Sequence, residues 1–269
     1  IFQTMFNVHV DYKLSLLPTA TPYSRNAIFC GLFPDEMVKK YPEQARLMVE
    51  HASSLNSLEP QFLKDQLKRL GLGDKSMHYH KIWAVEEGKK FQNRIPDYLQ
   101  RDMLALVVNF VDMLTHRSSQ TDVLKELVQD ETGFRAAVKS WLEHSWLLQV
   151  LKKLSESGFT VIVTSDHGSI RVQKDVMVAA DREASTGVRY KYGRNLNTKG
   201  RNALIIHDPA EYRLPAFGPQ PTYLIAKDDV FFVYPNQVHK FLSKFKNSFQ
   251  HGGISMEEMM VPVAVMKAR

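Results

Sequence analysis

The chain has 269 residues, 44% of them hydrophobic and 24% charged, which suits one large α/β domain or two small ones of a globular protein. Its one cysteine, Cys30, excludes a disulfide framework and fits a reducing, cytoplasmic compartment, and no apolar run reaches the roughly 18 residues that span a membrane. The net charge of +6 suits an anionic partner such as a phosphate ester or nucleic acid, although a basic surface that only aids solubility has the same charge.

A turn rich in hydroxyl groups follows the first predicted strand. Apolar and polar residues alternate over Phe6–Leu17, which is typical of a strand, and a short helix is predicted over Asn26–Leu32. The N-terminus of a helix favours an anion, so the intervening turn suits a phosphate group. Thr21 lies in this turn and can attack phosphorus if a metal lowers the pKa of its hydroxyl. The alternative is an ordinary Ser/Thr helix cap.

The next buried strand predicted here also ends in polar residues. The run Met103–Val111 is apolar, and Asp112 and His116 follow it. On a loop that enters a helix, positions four apart share a face, so these two side chains form a candidate metal-binding pair. The alternative is an Asp that caps the helix and a His on its surface.

A third strand leads to the most informative motif. One long amphipathic helix is predicted over Gly133–Ser157, and the β-branched run Phe159–Thr164 then predicts a parallel strand buried on both faces. It ends at Asp166-His167-Gly168, and ligands of open α/β sheets bind beyond the carboxyl ends of strands. A carboxylate and an imidazole together suit Zn²⁺. The alternative is a solvated strand-end turn.

A basic segment with interleaved aromatic residues follows at Asp181–Gly200. Its candidate substrate-binding cations are Arg182, Arg189, Lys191 and Arg194. Cations between tyrosines suit a nucleotide or oligonucleotide groove, where charge meets phosphate and rings stack on bases. A flexible basic loop is the alternative.

A last candidate ligand, His251, precedes the turn Gly252-Gly253. Glycines permit a tight turn at this point. Ser255 and Glu258 have the spacing of a capping box for a short helix, and the last strand is predicted over Val261–Met266.

These dispersed motifs, in this order, resemble the alkaline phosphatase superfamily. The segment Pro18–Pro34 is similar to the nucleophile segment of its phosphodiesterase branch, with Thr21 in the nucleophile position. Together with His251–Pro262, this segment resembles the PglZ domain, in particular the C-terminal effector domain of PorX-type response regulators that control type IX secretion. The resemblance covers nearly the whole chain.

The resemblance implies an α/β fold, with a mostly parallel central sheet flanked by helices, as one domain over residues 1–269. It implies two zinc ions, one held by Asp112, His116 and His251, the other by Asp166, His167 and the Thr21 oxygen. Such an enzyme is a metal-dependent phosphodiesterase that cleaves nucleotide or oligonucleotide substrates through Thr21. Asn26 would contact the phosphate, and the basic segment would hold the substrate backbone. The implied partner is an N-terminal receiver domain. No membrane contact is implied, and a homo-oligomer is compatible with the resemblance.

One expected ligand has no counterpart here. The family has a further Asp at the end of a first strand, yet only 20 residues precede Thr21 and none ends an apolar strand on Asp. The chain starts at Ile1 without an initiator Met or a signal peptide, so we expect a fragment that lacks its first strand and the receiver domain. If the ligand is absent, a single zinc ion and an inactive site are expected. The alternative functions are a phosphomonoesterase or phosphomutase, and a catalytically silent signalling module stabilised by its metal.

Overall fold

A computed structural model describes residues 1–44, 56–117, 126, 128–179, 187–198, 201–218 and 221–269, without the side chains of His116 and Arg117. The helices within these ranges are α1 (Thr21–Cys30), α2 (Pro34–Lys40), α3 (Glu59–Arg69), α4 (Val85–Asn93), α5 (Phe110–Arg117), α6 (Glu131–His144), α7 (Trp146–Glu156), α8 (Val238–Phe245) and α9 (Met256–Met259). The strands are β1 (Phe6–Leu14), β2 (Met77–Ile82), β3 (Met103–Val108), β4 (Thr160–Thr164), β5 (Ile170–Arg171), β6 (Lys174–Ala179), β7 (Tyr190–Gly193), β8 (Asn197–Thr198), β9 (Ala203–Ile206), β10 (Thr222–Ala226), β11 (Val230–Val233), β12 (Phe249–Gln250) and β13 (Met260–Ala268).

The chain divides into two compact units. The first comprises Ile1–Tyr12, Leu67–Thr164 and Pro262–Arg269. It contains the parallel pair β2–β3 and a sheet with the strand order β1–β13–β4. Helix α7 packs on its core through a stripe of buried side chains, because apolar residues three or four positions apart share one helix face. Those residues are Trp146, Val150, Leu151 and Leu154.

Two expectations about this unit are wrong in detail. The single helix predicted over Gly133–Ser157 is two helices, α6 and α7, which meet at Ser145. Ser145 has an extended backbone, with ψ at 162°, and its hydroxyl donates to the carbonyl of Leu142. Serine competes for backbone hydrogen bonds in this way and therefore favours helix ends over helix interiors.

Strand β4 forms where predicted, but it is neither parallel nor buried on both faces. It pairs antiparallel with β13 and ends its three-stranded sheet. Val161 packs on the core, whereas Ile162 is 64% and Val163 39% exposed. Successive side chains of a strand point to opposite faces of its sheet, so Val161 and Ile162 lie on opposite faces.

The second unit comprises Lys13–Gln66 and Ser165–Val261. Its sheets have the strand orders β7–β10–β9, β11–β6–β8 and β12–β5. Strands β10 and β11 are buried at every position, as their continuous apolar sequences predict, and β11 runs parallel to β6. The prediction of one domain over the whole chain remains a prediction.

None of the described helices is both long enough and apolar enough to span a membrane. The cytoplasmic location expected from the single cysteine remains a prediction.

Candidate metal and phosphate site

Thr21 is the first residue of α1, which begins five positions earlier than predicted. The cap is Ala20, in an extended conformation and without a side-chain hydrogen bond, so Thr21 is not an ordinary helix cap. Pro22 has no N–H, and the N–H groups of Tyr23 and Ser24 both donate to the carbonyl of Ala20. This helix end therefore presents the hydroxyl of Thr21 rather than a row of open N–H groups.

The Thr21 hydroxyl meets the imidazole of His167. Its Oγ1 lies 3.1 Å from Nε2 of His167, whose Nδ1 lies 2.9 Å from the carbonyl oxygen of Gly168. A carbonyl oxygen only accepts hydrogen bonds, so Nδ1 carries the proton. In the neutral ring Nε2 then offers its lone pair, and the Thr21 hydroxyl is the donor.

His251 is oriented by the same device. Its Nδ1 lies 3.1 Å from the carbonyl oxygen of Thr19, which again fixes the proton on Nδ1. The rings of His167 and His251 are stacked, with centroids 4.0 Å apart and an interplanar angle of 18°. Both motifs that the sequence analysis singled out thus bring an imidazole with the same tautomer to one place.

Thr19 joins the turn before Thr21 to the turn after His251. Its buried hydroxyl donates to the carbonyl of Gly253 at 2.7 Å and accepts from the N–H of Gly252 at 3.1 Å. Gly252 has φ at +113°, a conformation that side chains with a Cβ rarely adopt. Gly252 is therefore required by the backbone of this turn, as the sequence predicts. Sequence reasoning missed Thr19, although its position in the hydroxyl-rich turn was the available signal.

Asp166 contributes a buried carboxylate oxygen to the same place. Its Oδ2 has no hydrogen-bond partner among the described residues and lies 3.7 Å from Nε2 of His167. The backbone carbonyl of Asp166 accepts a hydrogen bond from the hydroxyl of Ser15. A buried carboxylate oxygen is costly without a partner, and a bound cation would supply one. The oxygen and nitrogen donors of Asp166 and His167 therefore fit the family's zinc.

The other two predicted ligands lie in the first unit. Asp112 is near the start of α5, and His116 is on the same helix, but its side chain is outside the described residues. In the part of the chain that the structure describes, no three His, Cys, Asp or Glu side chains form a group that could hold a metal. The zinc ion expected between Asp112, His116 and His251 therefore stays a prediction.

The predicted substrate contacts are mostly buried. Asn26 is inaccessible to solvent, and its amide donates to the carbonyl of Pro22 within α1. Arg189 is likewise inaccessible and forms an ion pair with Glu258. Lys191 is 1% exposed, its ammonium lies 4.6 Å from the ring centre of Tyr234, and burial lowers its pKa to about 8. We therefore correct the expectation that Arg189 and Lys191 line an open groove, and the phosphate contact expected of Asn26 stays a prediction.

For two cations of the basic segment, the predicted contact with the substrate stays a prediction. Arg194 follows β7 and is exposed, whereas Arg182 lies outside the described residues. The alternation of Arg, Lys and Tyr in this segment predicted a substrate groove. Tyr190–Gly193 instead forms a strand of the interior that pairs with β10. There, aromatic and cationic residues face packed neighbours instead of solvent.

Comparison with known proteins agrees with this fold. A family model described as the BREX system PglZ alkaline phosphatase-like domain matches residues 2–266. No curated protein matches the chain. A solved structure of phosphonoacetate hydrolase from Sinorhizobium meliloti 1021, in complex with phosphonoformate, is similar with a TM-score of 0.56 and 11% sequence identity, over 95% of this chain and 81% of that one. That identity establishes a shared fold alone, whereas the family match spans nearly the whole sequence. The chain therefore belongs to the PglZ alkaline phosphatase-like family, within the alkaline phosphatase superfamily of hydrolases.

Proposed function

We propose that this chain is a zinc-dependent phosphodiesterase that hydrolyses nucleotide or oligonucleotide phosphodiesters with Thr21 as the nucleophile. The observation that carries the proposal is the 3.1 Å contact between Thr21 Oγ1 and His167 Nε2. The contact holds the hydroxyl oxygen beside the ring nitrogen that would bind zinc, and metal coordination is one way in which a hydroxyl nucleophile is activated. Membership of the PglZ family supports hydrolysis of a phosphoryl compound, and the diester preference rests on the resemblance of the nucleophile segment.

Asp166 and His167 would hold one zinc ion, with the Thr21 oxygen beside it, and His251 would join Asp112 and His116 at the other. Bound zinc supplies a Lewis acid that polarises a phosphoryl oxygen and lowers the pKa of a nearby hydroxyl. The tautomer imposed by the carbonyls of Gly168 and Thr19 points Nε2 of each imidazole away from the backbone. Both neutral rings therefore carry the lone pair on Nε2, and that of His167 would bind zinc once the Thr21 hydroxyl turns away from it.

Thr21 Oγ1 would form a bond to phosphorus as the bond from phosphorus to the leaving alcohol breaks. In this structure the hydroxyl donates a hydrogen bond to Nε2 of His167. When that nitrogen holds zinc, the proton of the acidified hydroxyl would pass to solvent water instead. Water would then hydrolyse the phosphothreonine and restore the hydroxyl. Of the predicted substrate cations, Arg182 and Arg194 remain candidates for the substrate backbone.

Replacing the nucleophile tests the proposal. We expect Thr21→Ala to abolish hydrolysis of bis-p-nitrophenyl phosphate while the zinc content persists, and Thr21→Ser to retain hydrolysis. Full activity in Thr21→Ala would exclude the mechanism. Faster hydrolysis of p-nitrophenyl phosphate than of the diester would favour a phosphomonoesterase or phosphomutase. A zinc-loaded but inactive protein would favour the signalling module.

We also retain the proposal of a response-regulator role with a receiver domain as partner. It rests on the resemblance of Pro18–Pro34 and His251–Pro262 to PorX-type effector domains and on no contact within the described residues.

A further inference from the structure

Glu258 connects the two turns that carry His167 and His251. Its backbone carbonyl accepts a hydrogen bond from the N–H of Gly168 at 2.9 Å, and its side-chain Oε1 accepts from the N–H of Gly253 at 2.8 Å. Gly168 follows His167 directly, and Gly253 lies two positions after His251. A single buried residue therefore holds the backbone next to both imidazoles.

Arg189 holds the carboxylate of Glu258 in place. Its Nε lies 2.7 Å from Oε1, and its Nη2 lies 2.7 Å from Oε2. Both side chains are inaccessible to solvent. Arg189 also donates to the backbone carbonyls of Val230 and Asp228, which anchors the guanidinium to the start of β11 and to the turn before it. The N–H of Ser255 donates to Oε2 at 3.1 Å, so each carboxylate oxygen accepts two hydrogen bonds.

Both turns approach Glu258 and Arg189 closely. A Cβ on Gly168 would overlap the carbonyl oxygen of Glu257, and a Cβ on Gly253 would overlap Nη2 of Arg189. Glycine is therefore required at both positions by close approach to the Glu257–Glu258 backbone or to the ion pair. A shift of Glu258 would carry both turns with it.

We propose that Glu258 and Arg189 are positioning residues, which set the orientation of His167 and His251 for the reaction. This inference rests on the proposed function. It assigns the buried ion pair a role in the reaction rather than in stability alone. Replacing a buried ion pair by apolar side chains of similar volume is often neutral for stability. Such a replacement would nevertheless leave the N–H groups of Gly253 and Ser255 without their carboxylate acceptor, so the turn after His251 would lose its fixed position.

The test compares the full chain with Arg189→Met/Glu258→Leu, which removes both charges, and with Arg189→Lys, which keeps the charge but loses the two-point contact. Arg25→Lys is the matched control, because Arg25 Nε lies 2.7 Å from the inaccessible Glu59 in the same unit. Three quantities are measured: the urea midpoint, the NMR signals of the imidazole nitrogens without metal, and the zinc dissociation constant from competition with a chelating dye.

We expect the charge-free double variant to fold and its His251 signal to lose the single Nδ1–H tautomer. We expect its zinc affinity to fall about 10- to 100-fold, as is typical when a residue that orients a ligand is removed, and kcat to fall more than KM rises. Arg189→Lys should change the same signals by less, and Arg25→Lys should leave them unchanged. Wild-type imidazole signals in a folded double variant would overturn the proposal. If the double variant does not fold, wild-type imidazole signals in Arg189→Lys would overturn it. An inactive wild-type protein would contradict the proposed function and leave the imidazole comparison valid.

Discussion

The hydroxyl oxygen of Thr21 and Nε2 of His167 lie 3.1 Å apart, although 146 positions separate them in the chain. The carbonyl of Gly168 holds the proton on the other ring nitrogen, so the contact has one direction, from the hydroxyl to the imidazole. Thr21 is the first residue of α1, and His167 is the third residue after β4. The hydroxyl and the imidazole that accepts its hydrogen bond are therefore brought together within the second unit.

Thr21→Val keeps the shape of the side chain and removes only the hydroxyl. We expect it to lose hydrolysis of bis-p-nitrophenyl phosphate while its free energy of unfolding changes by less than about 1 kcal/mol, because one hydrogen bond contributes about that much. Urea unfolding and steady-state rates measure the two effects. Loss of stability well beyond that value would show that Thr21 acts mainly in folding.

Asp166→Asn tests whether Oδ2, which has no hydrogen-bond partner among the described residues, receives a cation. Without metal we expect the variant to be at least as stable as the wild type, because an amide avoids the cost of a buried charge. With zinc at about 100 times the wild-type dissociation constant, the wild type should gain about 2.7 kcal/mol and the variant much less. Asp175→Asn, at an exposed position of β6, is the control. Equal stabilisation of Asp166→Asn and wild type by zinc would exclude Asp166 as a ligand.

Thr19→Val tests the hydroxyl that joins the turns of Thr21 and His251. The change leaves the N–H of Gly252 and the carbonyl of Gly253 without this partner, so we expect a loss of about 2 kcal/mol in the free energy of unfolding. Thr198→Val removes a hydroxyl that donates to Met177 at an exposed position, and it should cost less than about 0.5 kcal/mol. Equal effects of the two changes in urea unfolding would contradict this prediction.

Lys191 predicts a rise of stability with pH. Burial lowers its pKa from 10.5 to about 8, so between these values the unfolded chain binds more protons than the folded chain. The free energy of unfolding therefore increases as the pH rises through this window, by on the order of 2 to 3 kcal/mol, because each pKa unit corresponds to about 1.4 kcal/mol. Burial raises the pKa of Tyr190 to about 12, which opposes the rise only above the ordinary tyrosine value of 10.

The measurement is urea unfolding at pH 7 to 10 of the wild type and Lys191→Met. We expect the variant to lack the rise and to exceed the wild type in stability at pH 7, since it carries no buried charge. Lys244→Met is the control, because Lys244 is exposed and also lies near an aromatic ring, 5.0 Å from the ring centre of Phe245. A rise that persists in Lys191→Met would assign the pH dependence to another group.

The family and much of the candidate site could be predicted from the sequence. Asp166-His167-Gly168 and His251-Gly252-Gly253 are local patterns, and the structure brings them together at Thr21. Both patterns depend on residues that are adjacent in the sequence. Polar residues follow the end of a strand in one, and glycines permit a tight turn in the other. The match of the family model over residues 2–266 confirms the predicted PglZ family.

The environment of the basic segment could not be predicted in this way. Arg189 lies in a segment whose composition is typical of phosphate binding. Its side chain is instead buried against Glu258, which is 69 positions away in the chain. Lys191 and Asn26 are likewise buried, and Ile162 is exposed in a strand whose apolar sequence predicted a buried one.

The sequence by itself determined which residues are the candidate nucleophile, imidazoles and carboxylate, because those motifs are short and contiguous. Only the tertiary structure decided which cations face solvent, which tautomer each histidine adopts and which residue holds both turns. Those properties depend on partners distant in the chain, whose positions are set when the sheets pack and bury their polar groups.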